Sequence, residues 1–165
     1  MTHTFEPAAT GRSKCRGCGQ AITKGELRFG ERVANPFADG EQTLWFHPLC
    51  AAYKRPESLL ETLPAAPPEL ADRETLEVEA HKGVLHKRLP RIDGAERAKG
   101  QANCRHCREP IPKGEWRIRL VFFEEGRFNP SGFIHVGCGE AYFETGDIRQ
   151  RVMHFSPGLE GSPFA

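Results

Sequence analysis

Cys15-Arg16-Gly17-Cys18 and His47-Pro48-Leu49-Cys50 are answered further along the chain by Cys104-Arg105-His106-Cys107 and His135-Val136-Gly137-Cys138. All 6 cysteines of the 165-residue chain fall in these two sets. Each set offers three thiolates and one imidazole, a closed tetrahedral shell for structural zinc that leaves no open position for a catalytic water. The pattern predicts two Zn2+ per chain, one held by Cys15, Cys18, His47 and Cys50, the other by Cys104, Cys107, His135 and Cys138. In both sites the metal is expected to hold the fold together and to do no chemistry.

Two other uses of paired cysteines fit less well. A redox dithiol needs a βαβ context around its Cys-x-x-Cys, and none is evident. Three disulfides would consume the cysteines but leave His47 and His135 unexplained at matching positions. The gap of about 28 residues between the two halves recurs within one residue in both copies, which isolated cysteine pairs have no reason to do.

Composition bounds the rest. Only 38% of residues are hydrophobic, mean hydropathy is −0.54, and glycine (17) and proline (13) are frequent, so two modest metal-nucleated cores suit the chain better than one large one. There is no long apolar run, and the opening MTHTFEPAATGR lacks the basic-then-apolar order of a signal peptide. A soluble, intracellular protein is expected, in a compartment where reduced thiols remain available to metal. The net charge of +1 hides an asymmetry: residues 11–55 carry eight Lys/Arg against four Asp/Glu, and residues 56–95 five against eight. Basic charge therefore gathers on the first ligand set, a pattern suited to nucleic-acid contact.

The two ligand sets sit in an internal repeat. Residues 11–28, GRSKCRGCGQAITKGELR, parallel residues 100–117, GQANCRHCREPIPKGEWR. In both, Lys-Gly-Glu opens an alternating stretch read as a strand, Leu27 to Val33 and Trp116 to Phe123. A second short strand, Leu44 to Phe46 or Phe133 to Ile134, delivers the ligand histidine, and a short helix after it carries the last cysteine. Trp45, Phe46, Phe133 and Tyr142 read as core.

The expected fold is small α+β and zinc-binding: two fingers, each a short antiparallel sheet with a C-terminal helix, joined by a partly helical linker. The first finger is placed at 5–62, the linker at 63–95 with a helix over 69–88, the second finger at 96–148 and a mobile tail at 149–165. Leu76, Ala80 and Val84 at helical spacing suit a linker helix that docks on a finger or acts as a spacer, and Gly83 weakens it.

The ligand sets, the Arg ten residues after each Cys-x-x-Cys (Arg28, Arg117) and the Trp45-Phe46-His47 segment together resemble the zinc fingers of the poly(ADP-ribose) polymerase type, which also occur at the front of a nuclear DNA ligase. The resemblance spans roughly residues 5–55 and 96–148. It extends to the lead-in Glu6-Pro-Ala-Ala-Thr-Gly-Arg-Ser-Lys-Cys15, whereas in the second copy Gln101 stands where the family has an arginine.

The resemblance implies sequence-independent recognition of DNA strand breaks, with Arg12, Lys14, Arg16 and Arg28 on phosphate in the first finger. Arg117 takes that role in the second, with Lys99 and Arg105 as substitutes for the missing arginine. Phe37 and Phe128, on Gly/Pro-flanked loops near the family's base-stacking position, would cover exposed bases. It further implies a damage sensor or repair adaptor with a DNA-repair enzyme as a possible partner and no membrane partner; the expected residence is the nucleus in a eukaryote and the cytoplasm or nucleoid in a bacterium. Nothing resembling a nucleophile–base set or a phosphate loop appears, so no enzymatic activity is expected. The alternative is a LIM-like module for protein–protein interaction, which shares the ligand halves but commonly has a shorter gap.

Overall fold

A computed structural model describes residues 2–164, which divide into two compact units, 2–85 with 123–128, and 86–122 with 129–164. In the first unit, strands β1 (Thr4–Pro7), β2 (Leu27–Ala34) and β3 (Glu41–Phe46) form an antiparallel sheet in that order. Register runs from Thr4 opposite Gly30 to Pro7 opposite Leu27 on one side of β2, and from Phe29 opposite Phe46 to Ala34 opposite Glu41 on the other. Phe29, Leu44 and Phe46 bury their side chains completely.

Helix α1 (Pro48–Lys54) starts directly after the ligand histidine. Pro48 occupies its first turn, where a missing N–H costs nothing, and His47 before it is extended, as a residue preceding proline prefers. Pro56 then stops α1 and opens α2 (Pro56–Thr62) in the same way. Helix α3 (Arg73–Leu85) packs on both α1 and α2 through Leu76, Glu79, Ala80 and Gly83, spaced as one helical face. The linker helix thus docks on the first finger, is shorter than the expected 69–88, and Gly83 lies on its buried face without breaking it.

Apart from the β7–β8 tip at 123–128, the second unit pairs β4 (Ile92–Arg97) antiparallel with β7 (Trp116–Glu124), and β7 with β8 (Arg127–His135), while β5 (Ala102–Asn103) and β6 (Pro110–Ile111) form a small ribbon on either side of the ligand loop. A 3-10 turn (Val136–Cys138) leads into α4 (Gly139–Phe143). The core joins Ile92, Ile118, Leu120, Ile134 and Phe143.

The tail departs from expectation. Arg149–His154 forms α5, which packs on β4 with Val152 fully buried. Ser156 locks it: its hydroxyl donates to Val152 O (2.7 Å) and accepts from Ala95 N (2.8 Å). This contact needs Gly94, because a Cβ there would collide with Phe155 O, and its φ of +99° disfavours other residues. The expected mobile tail over 149–165 therefore opens with an ordered helix, Arg149–His154, whose burial signal, Val152 and Phe155, is too short for periodicity to reveal.

Candidate metal centres

Each ligand loop is a tight turn that aims backbone N–H groups at sulfur. In the first, Gly17 N and His47 N both donate to Cys15 Sγ at 3.3 Å, and Gln20 N to Cys18 Sγ at 3.5 Å. In the second, His106 N and His135 N donate to Cys104 Sγ, each at 3.4 Å. Such bonds favour the thiolate over the thiol. The strands that deliver the histidines also fasten the loops, through Arg16 N to Trp45 O and Arg105 N to Phe133 O, both 2.9 Å. Gly17 allows the close approach of α1, since a Cβ there would lie 2.9 Å from that of Cys50.

The four ligand atoms of each set lie within 4.8 Å of one another. Nδ1 of His47 is 3.4 Å from Cys18 Sγ and 3.9 Å from Cys50 Sγ, and His135 repeats this with 3.3 Å to Cys107 and 3.8 Å to Cys138. Tetrahedral zinc with its usual bond lengths has ligand–ligand edges of about 3.5–3.8 Å, so donor set and spacing both fit. Cys15, Cys18, His47 and Cys50, and Cys104, Cys107, His135 and Cys138, can each hold one zinc ion.

Outer partners orient the imidazoles through Nε2: His47 faces Glu26 Oε1 at 3.8 Å, and His135 Nε2 sits 3.0 Å from Pro110 O, as metal-bound histidines are commonly braced. Burial works against the charge of His135, but the Pro110 carbonyl, then Cys104 and last Glu115, the repeat counterpart of Glu26, raise its pKa. The sequence signal for this brace was the repeated Lys-Gly-Glu, read only as a strand opening. Within the first set, hydrogen bonding from Cys50 holds Cys15 down to about 3, and Cys15 in turn holds His47 up to about 9. Cys15 and Cys18, together with burial, push the Cys50 thiol up, and this crowding of sulfur is what a bound dication relieves.

The centres differ in cover. Cys15 and Cys50 are buried at the first, whereas at the second only Cys104 is buried and Cys107 is exposed. Chelator added to zinc-loaded protein should therefore extract metal in two phases, the faster one accompanied by loss of structure in the second unit. A fast phase that unfolds the first unit would contradict this order.

The remaining candidate residues fall into two settings. Arg12, Lys14, Arg16, Lys99 and Arg105 are exposed, and Phe37 is 80% exposed on the β2–β3 loop, its N–H donating to Asn35 Oδ1 at 2.9 Å. Arg28 and Arg117 are turned inward. Arg28 stacks on Trp45, 3.6 Å from the ring centroid, and donates to Ser13 Oγ (2.9 Å) beside Glu6. Arg117 stacks on Phe133 at the same 3.6 Å and pairs with Glu96 at 2.8 Å. Burial works against the charge of Glu96, but Arg117 and Arg119 hold its pKa below the ordinary carboxylate value.

These stacks tie the lead-in segments to the sheets. Arg117→Ala should destabilise the second unit by about 2 kcal/mol, having removed a stacked cation and left Glu96 without one of its partners. Thermal melting of the zinc-loaded variant checks this, with an unchanged melting temperature as the contrary result. Phe128 is half-buried, edge-on to Phe46 (6.2 Å between centroids) and tilted against Phe123 (4.9 Å). The expected loop at Phe128 is the start of strand β8, whereas Phe37 does stand on a loop, and Gly/Pro spacing in the sequence could not tell the two apart.

Two Cys3His knuckles, each feeding a three-stranded antiparallel sheet and a short helix, define a tandem zinc-finger protein. The family described as "Poly(ADP-ribose) polymerase and DNA-Ligase Zn-finger region" matches residues 6–87, and that segment, the first finger together with α3, is a zinc finger of this family. The second finger repeats the ligand and hydrogen-bond pattern of the first.

Poly [ADP-ribose] polymerase 1 of Gallus gallus is 31% identical over 129 residues, covering 68% of this chain and 13% of the relative. The poly [ADP-ribose] polymerase of Drosophila melanogaster is 30% identical over 139 residues, covering 75% and 14%. That of Sarcophaga peregrina is 29% identical over 137 residues, covering 72% and 14%. The chain thus spans about 13–14% of the length of these curated relatives. No helix among the described residues is long and apolar enough to cross a membrane.

Proposed function

We propose that this protein binds DNA strand breaks, at nicks, gaps or ends, without regard to base sequence, and serves as a damage sensor or repair adaptor without catalysis of its own. The observation that carries the reading is Phe37. Phe29 and Phe46 of the same sheet are completely buried, yet Phe37 stands 80% exposed at the tip of the β2–β3 hairpin, with the Arg127 guanidinium 5.7 Å from its ring centroid. A break uncovers the face of a base pair, and an exposed ring beside a cation suits that face. The exposed Arg12, Lys14 and Arg16 around the first knuckle, and Lys99 and Arg105 around the second, add phosphate contacts that read no sequence.

Two roles differ from those the family resemblance implies. Stacking is proposed for Phe37 and not for Phe128, because Phe128 already spends its ring on Phe46 and Phe123. Arg28 and Arg117 position the basic lead-in loops from within the fold and do not reach phosphate themselves, since their guanidinium groups are buried and engaged. Four protein ligands close each metal centre to substrate, which supports a binding role over a catalytic one. The setting is intracellular, where DNA and reduced thiols coexist, in the nucleus or the nucleoid according to the host.

Paired affinity measurements on nicked and intact duplex of one sequence test this. The zinc-loaded protein should prefer nicked DNA. Phe37→Ala should lose about 1–3 kcal/mol on it and almost nothing on intact duplex, at an unchanged melting temperature. Equal losses on both DNAs would remove the stacking role, and no preference in the parent protein would turn the reading towards protein–protein interaction.

A further inference from the structure

A cavity of about 490 Å³ opens in the first unit between the start of β2, the start of α1 and the segment leading into α3. Leu27, Pro48 and Leu49 from the finger meet Leu70 and Leu76 from the linker to give it an apolar floor. Leu70 and Leu76 are buried, at 8% and 2% exposure, and the three finger residues half-buried. Around it stand three exposed carboxylates, Glu26, Glu69 and Asp72, and no lysine or arginine lines it. Glu26 is partly occupied by Thr23 N (3.1 Å) and His47. Glu69 and Asp72 make no side-chain hydrogen bond or ion pair among the described residues.

An apolar hollow of this volume is the size of a specific ligand pocket. Three carboxylates repel the phosphates that the exposed basic residues attract, so DNA is the wrong occupant. A bare cation gains nothing from leucines. The charge and the floor together match a side chain that is apolar and flanked by positive charge. Asp72 is also held at φ +56°, a left-handed conformation uncommon outside glycine, which turns the chain into α3.

We propose that this cavity docks a segment of a partner protein in which a leucine-like residue is flanked by arginine or lysine. The apolar residue enters between Leu27, Leu49 and Leu76 while the basic residues meet Glu69 and Asp72. The site is independent of DNA binding, because it uses none of the exposed basic residues or Phe37. It gives the linker helix a role beyond spacing: α3 and the segment before it supply half of a recognition surface.

The test is a titration of the isotope-labelled, zinc-loaded full chain, followed by amide resonances. The probe is a blocked hexapeptide alternating leucine with arginine, and the control peptide carries glutamate in place of each arginine. Saturable shifts at Leu27, Leu49, Ala71 and Leu76 with the basic peptide only are expected. Glu69→Lys with Asp72→Lys should weaken binding at least roughly tenfold, leaving affinity for nicked DNA unchanged. The neutral pair Glu69→Gln with Asp72→Asn, which keeps the side-chain shapes, should weaken it less and carries the test if the lysine pair lowers the melting temperature. Equal shifts with the acidic peptide, none with the basic one, or undiminished binding by both pairs would overturn the proposal. So would a change in DNA affinity with either pair, or concentration-dependent self-association that the substitutions abolish, since a second copy would then be the occupant.

Discussion

Cys50→Ser should cost the protein one of two zinc ions and the whole of its first unit. Cys50 is 1% exposed and lies in α1 between the knuckle and the buried residues Ala51, Ala52 and Tyr53, so metal and helix packing share one anchor. Structural zinc contributes apparent binding free energies of about 10–16 kcal/mol at neutral pH. That exceeds or equals the net stability of most domains, about 5–15 kcal/mol. The sheet of β1 to β3 and the three helices should therefore lose cooperative folding. The second unit has its own hydrophobic cluster, including Ile92, Ile118 and Phe143, and its own ligand set, and should remain ordered. Metal content by mass spectrometry together with amide spectra decides it. A variant that keeps two zinc ions, or that loses one yet keeps the Phe29 and Phe46 environment, would show that the metal does not hold this unit.

Affinity for nicked DNA should collapse as salt rises. Five exposed cations are proposed to meet phosphate, Arg12, Lys14 and Arg16 at the first knuckle and Lys99 and Arg105 at the second. At about −0.9 per phosphate the slope of log K against log salt is about −4.5, or roughly a 500-fold loss between 50 and 200 mM. Replacing Arg12, Lys14 and Arg16 together by alanine should reduce the slope to about −1.8, because only two contacts remain. Base composition should hardly matter to either protein. Arg28→Ala should instead lower the melting temperature, as its stack on Trp45 comes apart, with little change in slope for the fraction that remains folded. A slope that falls by a full contact with Arg28→Ala at unchanged stability would restore that arginine to the phosphate surface.

The metal centres were legible because their chemistry is local in kind, though distant in sequence. Only thiolate and imidazole at short, repeated spacings make a closed zinc shell, and no competing use accounts for both histidines. Strands β2, β3 and β7 and helix α1 were legible for a related reason, since proline at the first turn and alternation before the histidine are backbone preferences; β8 instead runs back over the expected loop at Phe128, and Cys138 lies in a 3-10 turn ahead of α4, not in the helix. Strands β1 and β4 were not, because four to six residues of mixed polarity carry no period of their own; they become strands by pairing with the outer edges of β2 and β7. Likewise α5 is ordered by what Val152, Phe155 and Ser156 touch, not by any helical pattern within six residues.

What the sequence determined by itself was the identity and grouping of the eight ligands, the tandem repeat and the family of the first finger, each a matter of residue type and spacing. Which arginines and phenylalanines face outward was decided only by tertiary structure. Arg12 and Arg28 are alike as letters, and so are Phe37 and Phe128. Arg28 is drawn inward by Trp45, Ser13 and Glu6, and Phe128 by Phe46 and Phe123, whereas Arg12 is exposed and Phe37 stands on a loop that buries nothing else over it. Exposure depends on which partners folding brings within reach, and Trp45 and Glu6 lie too far from Arg28 in the chain to leave a local signal, as does Phe46 from Phe128; the α3 cavity likewise joins Leu27 and Leu49 to Leu76.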